Sequence, residues 1–332
     1  MRIGILGGVL CMLSANLAAD AGALFIVVDP PGSLDTFPSA INSEGSIAGS
    51  YADDRNTDHG FLRAPDGNFS SFDPPLSFET GVGGINSSGT IAGSYAYFQG
   101  SELRARGFVR TPGGTITTFG VTGSLKTNAL AINDDGVTTG QYEDNSGFEQ
   151  GFVRAPDGTI TTFSVSGAYD TYPQGINSTG TIAGYYRLTS TYNGFVRTTD
   201  GTMATFQVSG ATYTIALDIN AAGAITGYFT DNNGEHGFVR AADGTITTFD
   251  APGCSGYTAG DSINSKGVIA GYCNDGSMHA HGFVRRTDGT MTTFNVPGTH
   301  DGTYATAIND NGAIVGYHGH YDDTHHGFLR TP

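Results

Sequence analysis

The tetrapeptide Gly-Phe-(Val/Leu)-Arg occurs seven times, beginning at Gly60, Gly107, Gly151, Gly194, Gly237, Gly282 and Gly327, at intervals of 47, 44, 43, 43, 45 and 45 residues. Self-similarity at a fixed period of about 40 to 50 residues marks a repeat architecture. Each unit is then one supersecondary element that cannot bury its apolar face alone and must stack on its neighbours. This constrains the fold before any single residue is read, and says much less about function.

One unit suffices to read the local structure. Thr245-Ile-Thr-Thr-Phe249 is a β-branched and aromatic run, hence a strand, broken by Pro252-Gly253. Thr258 to Asn264 is a second short strand, Val268 to Tyr272 a third and Gly282 to Arg285 a fourth. Asn264-Ser-Lys-Gly267 and Asp288-Gly289 supply turns, with Gly where φ becomes positive. The turn Asn recurs at Asn42, Asn86, Asn133, Asn177, Asn220, Asn264 and Asn309, each followed three residues on by Gly. Six residues before each Asn stands a Thr, from Thr36 and Thr80 to Thr303. We number the units one to seven by these asparagines.

Four antiparallel strands per unit, with no helical periodicity, predict an all-β seven-bladed β-propeller of four-stranded blades. The seventh copy ends at Gly327-Phe-Leu-Arg-Thr-Pro332 and lacks its last strand, while Leu24-Phe-Ile-Val-Val-Asp-Pro-Pro-Gly32 matches the missing one. The N-terminal strand is therefore expected to complete the last blade and close the ring, removing the open sheet edges. The domain reading is one propeller over 22–332.

Residues 1–21 read as a signal peptide, with Arg2, an apolar run from Ile3 to Leu13, and Ala19-Asp20-Ala21 as a cleavage site. That run is too short to span a bilayer, so the expected location is secreted, extracellular or periplasmic. There Cys254 and Cys273, which flank one predicted hairpin, would form a disulfide. A net charge of −16 would repel a phosphate backbone, which argues against nucleic acid as a partner.

Gly-Phe-(Val/Leu)-Arg, Asp-Gly-Thr-(Ile/Met)-Thr-Thr-Phe and Ile-Asn-x-x-Gly-x-Ile-x-Gly-Tyr resemble the bacterial extracellular HAF-repeat family over nearly all of the mature chain. The family's His-Ala-Phe stands here as His-Gly-Phe at His59, His236, His281 and His326, with Arg106, Gln150 and Asn193 in the other units. The resemblance implies a secreted propeller and carries no catalytic residues to transfer.

Within each unit the Asn-x-x-Gly and Asp-Gly turns are stereotyped, whereas the other two connections vary. Function sits most often on variable loops held by a rigid scaffold, so the variable-loop face is the expected binding face. Its rim would carry Asp35, Thr36, Glu79, Lys126, Asp170, Tyr213 and Tyr257, carboxylates and tyrosines of the kind that line sugar-binding surfaces. The seven repeat arginines are expected to pair with Asp or backbone carbonyls between blades. Asp218 and Asp261 depart from the small residues found near the turn Asn in other units and would place two carboxylates toward the channel. His318, His320, Asp322 and His325 gather His and Asp in one loop, a composition compatible with Zn²⁺. No H-E-x-x-H, P-loop, nucleophile elbow or dinucleotide fingerprint is present.

The first functional reading is a monomeric, non-enzymatic propeller that binds a polysaccharide or an extracellular protein. A carbohydrate-active hydrolase or lyase using Asp218 and Asp261 is the second. A metal-dependent enzyme using the terminal histidines is the third. No cofactor is expected, and a bound divalent cation stays open.

Overall fold

The computed structural model describes residues 22–320 and 323–332; residues 1–21, read above as a signal peptide, and 321–322, with the candidate ligand Asp322, lie outside the described residues. The described residues form 28 strands and no helix. They pair antiparallel in fours, an inner, second, third and outer strand in chain order. In unit six these are Tyr257–Ile263, Ile269–Asn274, Ala280–Arg285 and Met291–Phe294. The run ending at Phe249 belongs by pairing to unit five, as its outer strand, since Gly237 faces Phe249.

Unit seven takes its outer strand from the other end of the chain. Phe25 pairs with Arg330, Ile26 with Leu329 and Val27 with Phe328. Asp29 then accepts the Gly327 N–H at 2.9 Å and contacts His326 Nδ1 at 2.8 Å. The same contact joins His59 to Asp73, His236 to Asp250 and His281 to Asn295, at 2.7–2.8 Å. Residues 25–29 thus stand where an outer strand stands in every other unit.

The fours are almost separate sheets. Units four, five and six are joined in the ladder only by single bridges, Tyr192 to Tyr213 and Glu235 to Tyr257. Side chains must hold neighbours together. Gly237 lies under the ring of Phe249, which a Cβ would meet at 2.2 Å, so only glycine allows that ring to fold across its own blade. The ring then meets Phe283 of the next unit edge-on, with centroids 6.0 Å apart. This outer-strand to third-strand Phe contact recurs at 5.8–6.2 Å between the other successive units up to seven. All seven Phe residues of the Gly-Phe-x-Arg motif are 0–1% exposed. Truncating one such buried ring costs about 3–5 kcal/mol.

Four of the repeat arginines, Arg110, Arg154, Arg197 and Arg240, donate to a backbone carbonyl at 3.2–3.4 Å, but to that of the next residue in their own unit rather than across units. Arg110, Arg154, Arg197, Arg240, Arg285 and Arg330 lay their guanidinium groups 4.8–5.0 Å from the ring centroids of the preceding unit's outer-strand Phe. A delocalised cation gains more from a desolvated aromatic face than from a solvated carboxylate. Arg63 is the exception, resting over Phe69 of its own unit at 5.9 Å. The outer strand before it contributes Val28 at this place, so no ring is there to meet.

The recurring asparagines explain themselves. Each Oδ1 accepts the N–H four residues on at 2.9–3.0 Å, fixing its own turn. Each Nδ2 donates to the backbone carbonyl of the next unit's Asn at 3.0–3.1 Å, and the last, Asn309, donates to Asn42. Asp could not donate and Ser could not do both, so the amide is demanded seven times.

Two histidines give the fold a pH dependence. His59 lies between Asp53 (3.5 Å) and Asp73 (2.7 Å), and His236 between Asp231 (3.4 Å) and Asp250 (2.7 Å). Burial opposes their protonation, but the flanking carboxylates outweigh it, and both pKa values lie above the ordinary 6.5. A raised folded-state pKa stabilises fully below 6.5 and ceases to do so as pH rises through the folded value. Thermal stability is therefore expected to fall as pH rises above 6.5. The paired His59→Gln and His236→Gln variant should flatten that profile in a melting series; an unchanged slope would sink the assignment.

Candidate functional site

Every inner strand carries a one-residue bulge three places before its ring Asn, at Ser39, Gly83, Leu130, Gln174, Leu217, Asp261 and Thr306. A bulge leaves its extra residue out of the ladder and re-aims the side chain. Asp261 is such a residue, and Asp218 immediately follows one. The two carboxylates consequently do different things.

Asp218 is a cross-link. Its Oδ1 accepts the Ile219 N–H at 2.8 Å, and its Oδ2 accepts the Ile263 N–H at 2.9 Å and the Ser262 hydroxyl at 3.1 Å. It ties unit five to unit six. Burial pushes its pKa up to about 6 against those three hydrogen bonds, which favour the ionised form. Its Oδ1 is held within its own strand and its Oδ2 by the strand of unit six, so both oxygens are occupied by the fold.

Asp261 is the opposite case. Its Oδ2 is enclosed and has no hydrogen-bond partner. Burial holds its carboxyl well above the usual carboxylate range. Burial also pushes up the phenols of Tyr228, Tyr257, Tyr272 and Tyr317, Tyr272 to about 12, and an ionised Asp261 would push them further.

Those tyrosines belong to a larger arc. The position after the second-strand glycine reads Ser50, Ser94 and Gln141 in units one to three, then Tyr185, Tyr228, Tyr272 and Tyr317 in units four to seven. Tyr257 stacks on Tyr272 at 5.0 Å with their hydroxyls 2.9 Å apart. Tyr272 meets Tyr304 at 5.0 Å, Tyr304 stacks on Tyr317 at 4.9 Å, and Tyr317 meets Phe37 at 5.1 Å. On the other flank Tyr228 lies 5.9 Å from Tyr257, and Tyr172 stacks on Tyr185 at 4.8 Å. This column is aromatic in units four to seven and small or polar in units one to three. The sequence reading missed this arc because it compared units at their constant positions; the column after the glycine carried the signal.

The predicted rim residues are mostly occupied by the fold. Asp35 of unit one accepts the His325 backbone N–H of unit seven at 2.8 Å and touches its Nδ1 at 3.0 Å. Asp170 accepts the Glu149 N–H of unit three at 2.9 Å and pairs with Arg187. Lys126 pairs with Glu143 at 2.6 Å. Glu79 is exposed. Thr36 is 1% exposed and donates to Ser33 Oγ at 3.1 Å. Its counterparts Thr171, Thr214 and Thr303 accept backbone N–H groups at 3.0–3.1 Å, so the threonine ring is a clasp turned inward rather than a hydroxyl-lined mouth. Only Tyr213, 5.4 Å from Tyr192, and Tyr257 join the aromatic rings.

Of the four candidate metal ligands, Asp322 lies outside the described residues, and His320 packs its ring 5.5 Å from that of His326. His325 and His326 are consecutive in a strand and point to opposite faces. His325 goes to Asp35, while His318, 8% exposed and with its pKa lowered by burial, lies beside His326. Among the described residues no three His, Cys, Asp or Glu side chains come together as a metal set. Cys254 and Cys273 are joined by a disulfide. Two surface depressions of about 400 and 440 Å³ lie around residues 120–124 and share no residue with the tyrosine arc.

No protein-family model matches the sequence, and no curated protein does. Solved structures do share the fold. A catalytically inactive virginiamycin B lyase from Staphylococcus aureus with quinupristin is 12% identical, with 94% of this chain and 100% of that one covered and a TM-score of 0.63. A streptogramin B lyase is 13% identical over 93% and 98% of the two chains, with a TM-score of 0.61. The acylaminoacyl peptidase of Pyrococcus horikoshii is 11% identical, covering 90% of this chain but 52% of its own, with a TM-score of 0.58. The chain is therefore an all-β protein with a β-propeller-like fold; identities this low speak for the fold alone.

Proposed function

We propose that this chain is a seven-bladed, ring-closed propeller that binds a saccharide against the tyrosine arc on its inner surface. Closure is supported by 28 strands in fours, by the outer strand lent from residues 25–27, and by asparagine hydrogen bonds that return to Asn42. The observation that carries the binding reading is the asymmetry of one column, aromatic in four consecutive units and small or polar in the other three. Structural repetition needs no such asymmetry, whereas flat rings bearing hydroxyls offer a pyranose both a stacking face and hydrogen-bond partners. We place the protein outside the cytoplasm as a member of the extracellular HAF-repeat family, a context its disulfide suits. A hydrolase built on paired Asp218 and Asp261 has no support, because Asp218 is committed to unit six.

The test is titration of the protein with soluble oligosaccharides while tyrosine emission and heat are followed. Tyr272→Ala is expected to weaken binding at least tenfold with the far-ultraviolet spectrum retained. If no oligosaccharide perturbs the tyrosines, the arc is packing and the reading is lost.

A further inference from the structure

We infer that the saccharide bound by the arc carries a protonated amino group, with Asp261 as its counter-ion. This rests on the binding reading above and adds the chemical class of the ligand. A buried acceptor left without a donor is costly, and Asp261 Oδ2 is one. The fold does not require the carboxylate there: the same bulge position holds Ser39, Gly83, Leu130, Gln174, Leu217 and Thr306 in the other units. A residue that costs stability, and that six equivalent places do without, answers to something other than packing.

The surroundings specify what that is. The repeat guanidinium groups of units five and six are engaged over Phe206 and Phe249, so neither serves as the counter-charge. A hard divalent cation needs several oxygen ligands, and Asp218 has none to spare. An ammonium needs one carboxylate and gains further from the faces of surrounding aromatic rings. Tyr257 lies in the same strand as Asp261, whose bulge sits opposite Gly271 and next to Tyr272, and Tyr228 and Tyr304 pack on those two rings. The net charge of −16 attracts a polycation at long range and repels a uronic-acid polymer.

The probes are a β-1,4-linked glucosamine tetramer, at a pH where its amines are protonated, and its fully N-acetylated, neutral counterpart. Calorimetry on the full chain should show the amine form binding at least tenfold more tightly. Asp261→Asn should abolish the difference, and so should Asp261→Thr, which copies the residue that unit seven already tolerates at its bulge. Equal binding of both tetramers, untouched by either substitution, overturns this inference while leaving the saccharide reading standing. Binding of neither tetramer, alongside binding of other oligosaccharides, also overturns it. Silence across the whole panel overturns both.

Discussion

A chain lacking residues 22–29 is expected not to fold to a monodisperse protein. Without the N-terminal strand, Phe328–Arg330 becomes an unpaired edge, and Gly327 N–H and His326 lose Asp29. Val28, fully buried, is drawn from a cluster with Ile41, Ile47, Phe61, Ala307, Val315 and Leu329 that joins unit seven to unit one. Each buried aliphatic side chain contributes about 1.5–3 kcal/mol and each lost hydrogen bond about 1 kcal/mol. The sum is at least about 5 kcal/mol, a large part of the roughly 5–15 kcal/mol that a domain possesses. Size-exclusion chromatography and melting of the truncated chain would show soluble aggregate and no cooperative transition. Addition of a synthetic peptide spanning residues 22–32 should restore a transition. A truncated chain that melts like the full-length protein would remove the N-terminal strand from the architecture.

The second large effect concerns the asparagine ring. Asn177→Ala and Asn309→Ala are each expected to cost about 3 kcal/mol, since both delete a buried inter-unit donor and leave turn N–H groups without their acceptor. Equality between the two is the informative result. Asn177 links consecutive units, whereas Asn309 reaches Asn42, 267 residues away in the sequence. In a closed ring both bonds do the same work. Were the seam open in solution, Asn309→Ala would cost only its turn hydrogen bonds, clearly less than Asn177→Ala in denaturant titrations, and closure would be refuted.

The period of the repeat made the strands legible, because alternating β-branched runs and Asn-x-x-Gly turns are local signals. The partner of Phe25–Val27 was legible too, since the N-terminal segment matches the strand that the last copy lacks. The register of a side chain within a unit was not. Asp218 and Asp261 look alike as deviants near the ring Asn, yet one position of difference at a bulge gives one a full set of donors and the other an orphaned oxygen. The aromatic contact of the arginines was missed for a similar reason: the ring sits in the preceding repeat, and only the packing of neighbouring sheets brings the two together. His325 turns to Asp35 while His318 and His320 pack on His326, a division that composition alone does not show.

The borrowed strand also sets a timetable. Phe25 meets Arg330 only after about 300 further residues have been made, which at roughly 5–20 residues per second takes about 15–60 s. Throughout that interval the first strand is an adhesive end with nothing to hold, and the last sheet cannot gain its fourth strand. Two such chains growing side by side could each complete the other. A head-to-tail swapped pair is therefore the misassembled product to look for when this protein is made quickly and at high concentration.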